Sequence, residues 1–208
     1  MAQIVIIAKE PVAGRVKTRL TPPYSPDQAA ALAAAALRDS LHAVSETPAT
    51  QRVLALDGLP ASWLPAGFVV IPQRGSGLDE RLAAAFTDAY RLQPEPVVLI
   101  GMDTPQVTPA LLGEAAEALA DYDAVFGPAA DGGFWLLGLR EPDASLLLGV
   151  PMSHPETGKL QLDRLDRAGL SVRLLPELTD VDAAADALAV AAQVPGSHFA
   201  TTLRELGG

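Results

Sequence analysis

A carboxylate directly after a buried strand is the first feature of this sequence that could do chemistry. Val97–Ile100 is a run of four apolar residues, the pattern of a strand buried on both faces of a parallel sheet. Asp103 follows it, before Thr104 and Pro105 turn the chain away. Ligands of open α/β sheets bind beyond the carboxyl ends of strands, and hard cations prefer oxygen ligands. Asp103 is therefore a candidate metal ligand and catalytic residue, or alternatively a turn residue that accepts backbone hydrogen bonds.

A basic loop follows the first predicted strand, which covers residues 3–8. In a protein with only 15 Lys and Arg residues, this loop carries four of them: Lys9, Arg15, Lys17 and Arg19. Arginine makes bidentate contacts with phosphate and lysine supplies a point charge, so the cluster is a candidate cradle for a di- or triphosphate. The Gly-Lys-Ser/Thr ending of a Walker A loop is missing. The alternative is a solvated basic loop.

Two glycine-containing stretches follow predicted strands further along the chain. After the strand at residues 68–71, Gln73 can read a nucleobase edge through its amide, and Gly75 lets the backbone approach a ligand. After the strand at residues 123–126, Asp131, Gly132 and Gly133 form either a hairpin turn or a substrate wall. In the second interpretation, the glycine amides bind hydroxyls or phosphate, and Phe134 or Trp135 offers a stacking surface. An ordinary glycine-rich turn is the alternative at both places.

A late acidic pair, Asp180 and Asp182, lies between the last predicted strand, residues 171–175, and an alanine-rich helix. Asp182 can cap that helix. Alternatively, Asp180 or Asp182 supplies a second carboxylate to the metal.

Strands and helices alternate along the chain, which predicts a three-layer α/β/α sandwich with a mainly parallel sheet. Ser25, Pro26 and Gln28 form a capping box at the start of a helix that runs to about Val44. The remaining predicted elements are a strand at residues 52–56, a helix from Arg81, a helix from Thr108 and Pro109, an apolar strand after Gly133, a helix ending near Ala168, and a terminal helix at residues 197–206.

Composition limits the function. A formal net charge of −10 argues against nucleic acid or an anionic membrane as the main partner, but not against a small phosphate ligand. The absence of cysteine removes thiolate chemistry and fits a reducing cytoplasm. The 208 residues predict one domain, residues 1–208, with small-molecule substrates. The first apolar run is too short to span a membrane. An exposed sheet edge could pair in a homodimer.

Several stretches together resemble the nucleotide-diphospho-sugar transferase superfamily, which has the GT-A type fold. Within it the chain looks most like a bacterial family of glycosyltransferases found beside radical-SAM proteins and associated with arsenosugar biosynthesis. The stretches that carry the resemblance are residues 8–20, 77–82, 101–105 and 131–139, with Asp180 and Asp182 as the late acidic pair.

The resemblance implies specific roles. Asp103 would ligate Mg²⁺ or Mn²⁺. Beside the resemblance, the residues themselves predict Asp182, or alternatively Asp180, as the second metal ligand, and Lys17 and Arg15 as catalytic residues together with Asp103. Further residues would bind the nucleotide donor or line its surroundings: Lys9, Arg15, Lys17 and Arg19 at the phosphates, Gln73 and Gly75 near the base, and Gly132 and Gly133 on the acceptor side.

Two departures from the family pattern bear on the reaction. Pro105 stands where the Asp-x-Asp motif of glycosyltransferases has its second Asp. A single Asp followed by x-Pro is closer to the pattern of the molybdenum-cofactor and phospholactate guanylyltransferases. Asp79 stands where the Leu-Gly-x-Arg motif of the family has its Gly. The prediction is a metal-dependent glycosyltransferase using an NDP-sugar. A nucleotidyltransferase using an NTP and a catalytically degenerate nucleotide-binding module are the alternatives.

Overall fold

The computed structural model describes residues 1–207, which form one seven-stranded sheet and six α-helices. The strands are β1 (Gln3–Lys9), β2 (Arg52–Asp57), β3 (Phe68–Pro72), β4 (Val97–Ile100), β5 (Ala124–Pro128), β6 (Phe134–Leu139) and β7 (Val172–Leu174). The helices are α1 (Pro26–Glu46), α2 (Leu78–Leu92), α3 (Pro109–Ala118), α4 (Thr157–Arg167), α5 (Ala184–Gln193) and α6 (His198–Leu206).

The strand order is β3-β2-β1-β4-β6-β5-β7, and only β6 runs antiparallel to its neighbours. Helices cover both faces: Leu37 and Leu112 of α1 and α3 pack on one side, and Phe86 and Leu165 of α2 and α4 on the other. Helix α6 packs on α1, and α5 packs against α6 in the same apolar cluster. The predicted three-layer α/β/α sandwich with a mainly parallel sheet is confirmed.

Local signals fix most element boundaries. The capping box of α1 is present: the Gln28 amide N–H donates to Ser25 Oγ at 3.2 Å, and the Ser25 N–H donates to Gln28 Oε1 at 2.8 Å. Helix α2 begins at Leu78, before the predicted Arg81, because Gly77 already adopts the extended backbone of an N-cap. Within residues 1–207, no helix combines the length and apolar character that crossing a membrane requires.

Candidate functional site

The six parallel strands end at one edge of the sheet, which we call the carboxyl edge. Lys9 ends β1, and three carboxylates follow other strands at the same edge: Asp103 after β4, Asp131 after β5 and Asp180 after β7. The loops are joined there, because the Val181 N–H donates to the Asp103 carbonyl at 2.9 Å. The fold thus gathers groups that are far apart in sequence.

Lys17 reaches from the basic loop into this edge. Its Nζ lies 2.8 Å from Asp103 Oδ1 and also donates to the Val181 carbonyl. The loop is held in place by Val16 and Leu20, which are buried on either side of Lys17. As a result, the Lys17 side chain is only 9% exposed, whereas that of Asp103 is 40% exposed. Asp103 is therefore open to solvent, whereas the Lys17 side chain is largely covered.

Asp180 has the most unusual environment at the carboxyl edge. Its pKa is raised to about 7, mainly by burial and also by the charges of Asp103, Asp131 and Asp182, while Lys17 opposes the shift. A carboxyl group with this pKa is only about half ionised at neutral pH, and a nearby cation would favour its charged form. Perturbed carboxyl groups of this kind cluster at functional sites.

Asp182, the other candidate for second metal ligand, is paired with a cation of the basic loop. Its Oδ2 lies 2.5 Å from Arg19 Nη1, in an ion pair whose side chains are 74% exposed for Arg19 and 43% for Asp182. Nor does Asp182 cap α5, because the Asp186 carboxylate accepts the N–H of Ala183 at 2.7 Å. Of the two late acids, Asp180 is thus the one whose charge is coupled to Asp103.

The donor set fits a divalent cation bound jointly with a nucleotide. No group of three or more His, Cys, Asp or Glu residues in the described chain forms a complete metal cage. Mg²⁺, however, usually takes one or two protein carboxylates, with waters and substrate phosphates as its other ligands. Asp103 and Asp180 can supply that pair. A cation held there would also favour the charged form of Asp180, whose pKa is raised by burial and by the neighbouring carboxylates.

The remaining cations of the basic loop differ in their surroundings. Lys9 and Arg15 are exposed, and among residues 1–207 neither side chain makes an ion pair or hydrogen bond. Arg19 is held by Asp182. Lys9 and Arg15 are therefore free to meet phosphate, whereas Lys17 and Arg19 must first leave a carboxylate. Their predicted roles in donor binding stay predictions.

Gln73 makes hydrogen bonds within the protein at the end of β3, and its predicted contact with a nucleobase stays a prediction. Its amide nitrogen donates to the carbonyls of Ala8 and Ala55 at 2.7 and 3.0 Å, which ties the end of β3 to β1 and β2. Its Oε1 faces Arg81 Nη1 at 3.5 Å. Arg81 also donates to the Gly75 carbonyl at 3.2 Å. Gln73 thus organises the loop, and reading a base through its amide nitrogen would require these two hydrogen bonds to break.

Gly132 and Gly133 form the turn between β5 and β6 and pack against the start of α4. The Gly158 N–H donates to the Gly132 carbonyl at 2.7 Å. Together with Lys159 and Glu177, the two glycines line a cleft of about 360 Å³. Their predicted place on the acceptor side is compatible with this cleft, and the close packing gives them a structural role as well.

We expect Gly132→Ala to destabilise the protein by about 3 kcal/mol, since a Cβ would lie 1.9 Å from the Pro155 carbonyl oxygen on a backbone with φ of +88°. Gly149→Ala is the matched control. Its φ is +77° but no atom lies within 4 Å of an added Cβ, so only backbone strain of about 1 kcal/mol is expected. Urea unfolding of both variants measures the difference, and equal losses would contradict the packing argument.

The stacking surface predicted for Trp135 is wrong. Trp135 is only 2% exposed, and its indole N–H donates to the Pro176 carbonyl at 3.0 Å. Its ring fills the space left by Gly127, where a Cβ would lie 2.5 Å from the ring. Phe134 is half-buried against Phe126, with ring centroids 5.4 Å apart. Trp135 therefore belongs to the core.

The sequence predicts only a turn at Asp131, whereas the structure adds this residue to the carboxylates around Asp180. Asp131 does accept the Gly133 N–H at 2.8 Å, as expected of an Asp-Gly turn. Its charge also raises the pKa of Asp180. The signal in the sequence that could have identified Asp131 is its position shortly after β5, a strand that runs parallel to β4 and so ends at the same edge of the sheet.

Comparisons with known proteins agree with the fold and the class of enzyme. Residues 29–154 match the model of a family described as an uncharacterized protein conserved in bacteria (DUF2064). The 2-phospho-L-lactate guanylyltransferase of Natrialba magadii is 31% identical over 217 residues, which cover 92% of this chain and 88% of that protein.

Two solved structures share the fold of this chain. A "putative nucleotide-diphospho-sugar transferase" from Desulfovibrio desulfuricans G20 superposes with a TM-score of 0.88 at 29% identity, covering 99% of this chain and 95% of that one. Rv0371c from Mycobacterium tuberculosis H37Rv in complex with manganese superposes with a TM-score of 0.52 at 21% identity, covering 91% and 97%, and shares the fold. The predicted superfamily and the prediction of a transferase are confirmed.

Proposed function

The chain belongs to the DUF2064 family, and from that premise we propose that it is a metal-dependent nucleotidyltransferase, which couples an NTP to a phosphorylated small molecule. The observation that carries the proposal is the meeting of Asp103, Asp180 and Lys17 at the carboxyl edge, with Lys9 and Arg15 exposed in the adjoining loop. Acidic groups that can hold a cation thus lie beside basic groups that can hold a triphosphate.

Two observations favour nucleotidyl over glycosyl transfer. Pro105 replaces the second Asp of the glycosyltransferase motif. The relative from Natrialba magadii, which matches over nearly the whole chain, is a guanylyltransferase. A polyanionic triphosphate also suits a loop with four cations in a protein whose net charge is −10.

In the proposed reaction, a phosphate oxygen of the acceptor attacks the α-phosphorus of the NTP. The bond between the α-phosphorus and the oxygen that bridges to the β-phosphorus breaks, and pyrophosphate leaves. The cation, held by Asp103 and Asp180, would neutralise phosphate charge. Lys17, Arg15 and Lys9 would bind the triphosphate and stabilise the charge that develops on the leaving group.

Glycosyl transfer from an NDP-sugar is the second candidate. It is supported by the similarity to the Desulfovibrio desulfuricans protein, which extends over 99% of this chain at a TM-score of 0.88. In that case an acceptor hydroxyl attacks the anomeric carbon and the NDP leaves.

A thermal-shift and turnover screen separates the candidates. We expect one NTP with Mg²⁺ or Mn²⁺ to raise the Tm, because a ligand at a hundredfold over its Kd stabilises by about 2.7 kcal/mol, and EDTA to reduce the shift. Incubation of that NTP with phosphorylated acceptors should release pyrophosphate, with phospholactate as the first acceptor to test.

A shift confined to one NDP-sugar and its NDP, with release of the NDP, would contradict nucleotidyl transfer and favour the second candidate. Tight nucleotide binding without metal, and no turnover with any donor, would contradict both and indicate a degenerate binding module.

A further inference from the structure

Lys17 differs from the other cations of the basic loop. Its side chain is 9% exposed, whereas that of Arg19 is 74% exposed. Its ammonium lies between two oxygen atoms, Asp103 Oδ1 at 2.8 Å and the Val181 carbonyl oxygen. Carboxylate and carbonyl oxygens are also the ligands that hard divalent cations take. The ammonium therefore uses oxygens that would suit a metal ion.

The backbone of Lys17 is unusual too. Its φ is +49°, in the left-handed region that residues with a Cβ rarely adopt. Buried Val16 and Leu20 on either side keep the segment in this conformation. Strained residues held by surrounding packing are common at functional sites. Here the conformation carries the ammonium inward rather than into solvent with Arg15.

We propose that Lys17 is a tethered substitute for the divalent cation: in the nucleotide-free protein it neutralises Asp103, and it must leave before a metal ion can bind there. This inference rests on the proposed function. An ammonium and a metal ion held together at Asp103 Oδ1 would repel each other, so the metal binds this oxygen well only after Lys17 has left it. If Lys17 leaves without nucleotide, its poorly exposed charge loses its partner. If a triphosphate is present, the phosphates become the new partner.

Metal and nucleotide should consequently bind cooperatively, with the metal alone binding weakly. The test is Mn²⁺ binding to the nucleotide-free protein, followed by the electron paramagnetic resonance signal of free Mn²⁺. Lys17→Met is expected to bind Mn²⁺ about tenfold more tightly than the wild type, because its competitor is gone. Lys17→Gln, which removes the charge but keeps a donor for the Val181 carbonyl, should show the same gain and covers the case in which Lys17→Met does not fold.

Two controls separate this competition from a general change of charge. Lys9→Met removes one positive charge from the same loop, but from an exposed side chain without an ion pair among residues 1–207, so its gain should stay below about twofold. In the Asp103→Asn background, the gain from Lys17→Met should disappear, because the two side chains act on each other directly.

If the wild type turns over an NTP but Lys17→Met and Lys17→Gln bind Mn²⁺ no more tightly, or Lys9→Met gives an equal gain, this inference is overturned and the proposed function stands. If the wild type neither binds Mn²⁺ with any NTP nor turns one over, both are overturned.

Discussion

Asp103→Asn is expected to reduce kcat by about 10³-fold at saturating metal and nucleotide, while the Tm stays within about 3 °C of the wild type. Asparagine removes the negative charge that would hold the cation. It keeps an oxygen that can accept a hydrogen bond from Lys17, which lies 2.8 Å from Asp103 Oδ1. Steady-state kinetics with increasing Mg²⁺, together with thermal unfolding, measure both quantities.

Asparagine is the better choice than alanine because of Lys17. Asp103→Ala would leave the buried ammonium with the Val181 carbonyl alone, and an under-satisfied buried donor costs about 1–3 kcal/mol. Loss of activity would then be confused with loss of stability. Glu114→Gln serves as the control, since it also neutralises an ion-paired carboxylate, 3.1 Å from Arg173, but on α3. Retained turnover of Asp103→Asn at saturating metal would rule out Asp103 as an essential ligand.

The sequence predicted those parts of the site that depend on local pattern. Four consecutive apolar residues identified β4, and the carboxyl-edge rule then placed Asp103 correctly at the end of that strand. The capping box of α1 ends the basic loop where the sequence indicated. In each case the signal lies within a few residues of the feature it predicts.

The parts that sequence could not predict depend on contacts between distant segments. The ion pair between Lys17 and Asp103 joins the loops after β1 and β4, and nothing local distinguishes Lys17 from Lys9. The choice between Asp180 and Asp182 depends on the irregular loop before α5, which has no periodicity to show which side chain turns inward. Trp135 is buried because Gly127, on the neighbouring strand, leaves room for its ring.

Asp180→Asn is expected to stabilise the nucleotide-free protein at pH 8 and to weaken metal binding. The pKa of Asp180 is raised from 3.8 to about 7, so between these values the folded protein holds a proton that the unfolded chain has released. The contribution of this group to the free energy of unfolding therefore falls as the pH rises from about 4 to about 7, and stays low above that. One pKa unit corresponds to about 1.4 kcal/mol, so the gain at pH 8 should be about 1–4 kcal/mol, with little gain at pH 4.

Asp123→Asn provides a control of opposite sign. Hydrogen bonds from Ser171 lower the pKa of Asp123, so its charged form stabilises the folded state. This variant should lose stability at pH 8 and approach the wild type as Asp123 becomes protonated in acid. Urea unfolding at pH 4 and pH 8 compares both variants with the wild type. Equal effects of Asp180→Asn at the two pH values would contradict the raised pKa.

A carboxyl group that lowers stability at neutral pH can be explained by a ligand that favours its charged form, and a cation is such a ligand. Burial and the charges of Asp103, Asp131 and Asp182 make the charged form of Asp180 unfavourable, and the same charges make a divalent cation favourable at that place. A destabilised site that is relieved by its ligand is the usual trade between stability and activity. Mg²⁺ with nucleotide should therefore stabilise the wild type more than Asp180→Asn. The difference between their Tm values should become smaller or change sign. If the ligands raise both Tm values equally, Asp180 is not a ligand of the cation, and the metal site reduces to Asp103 and the phosphates.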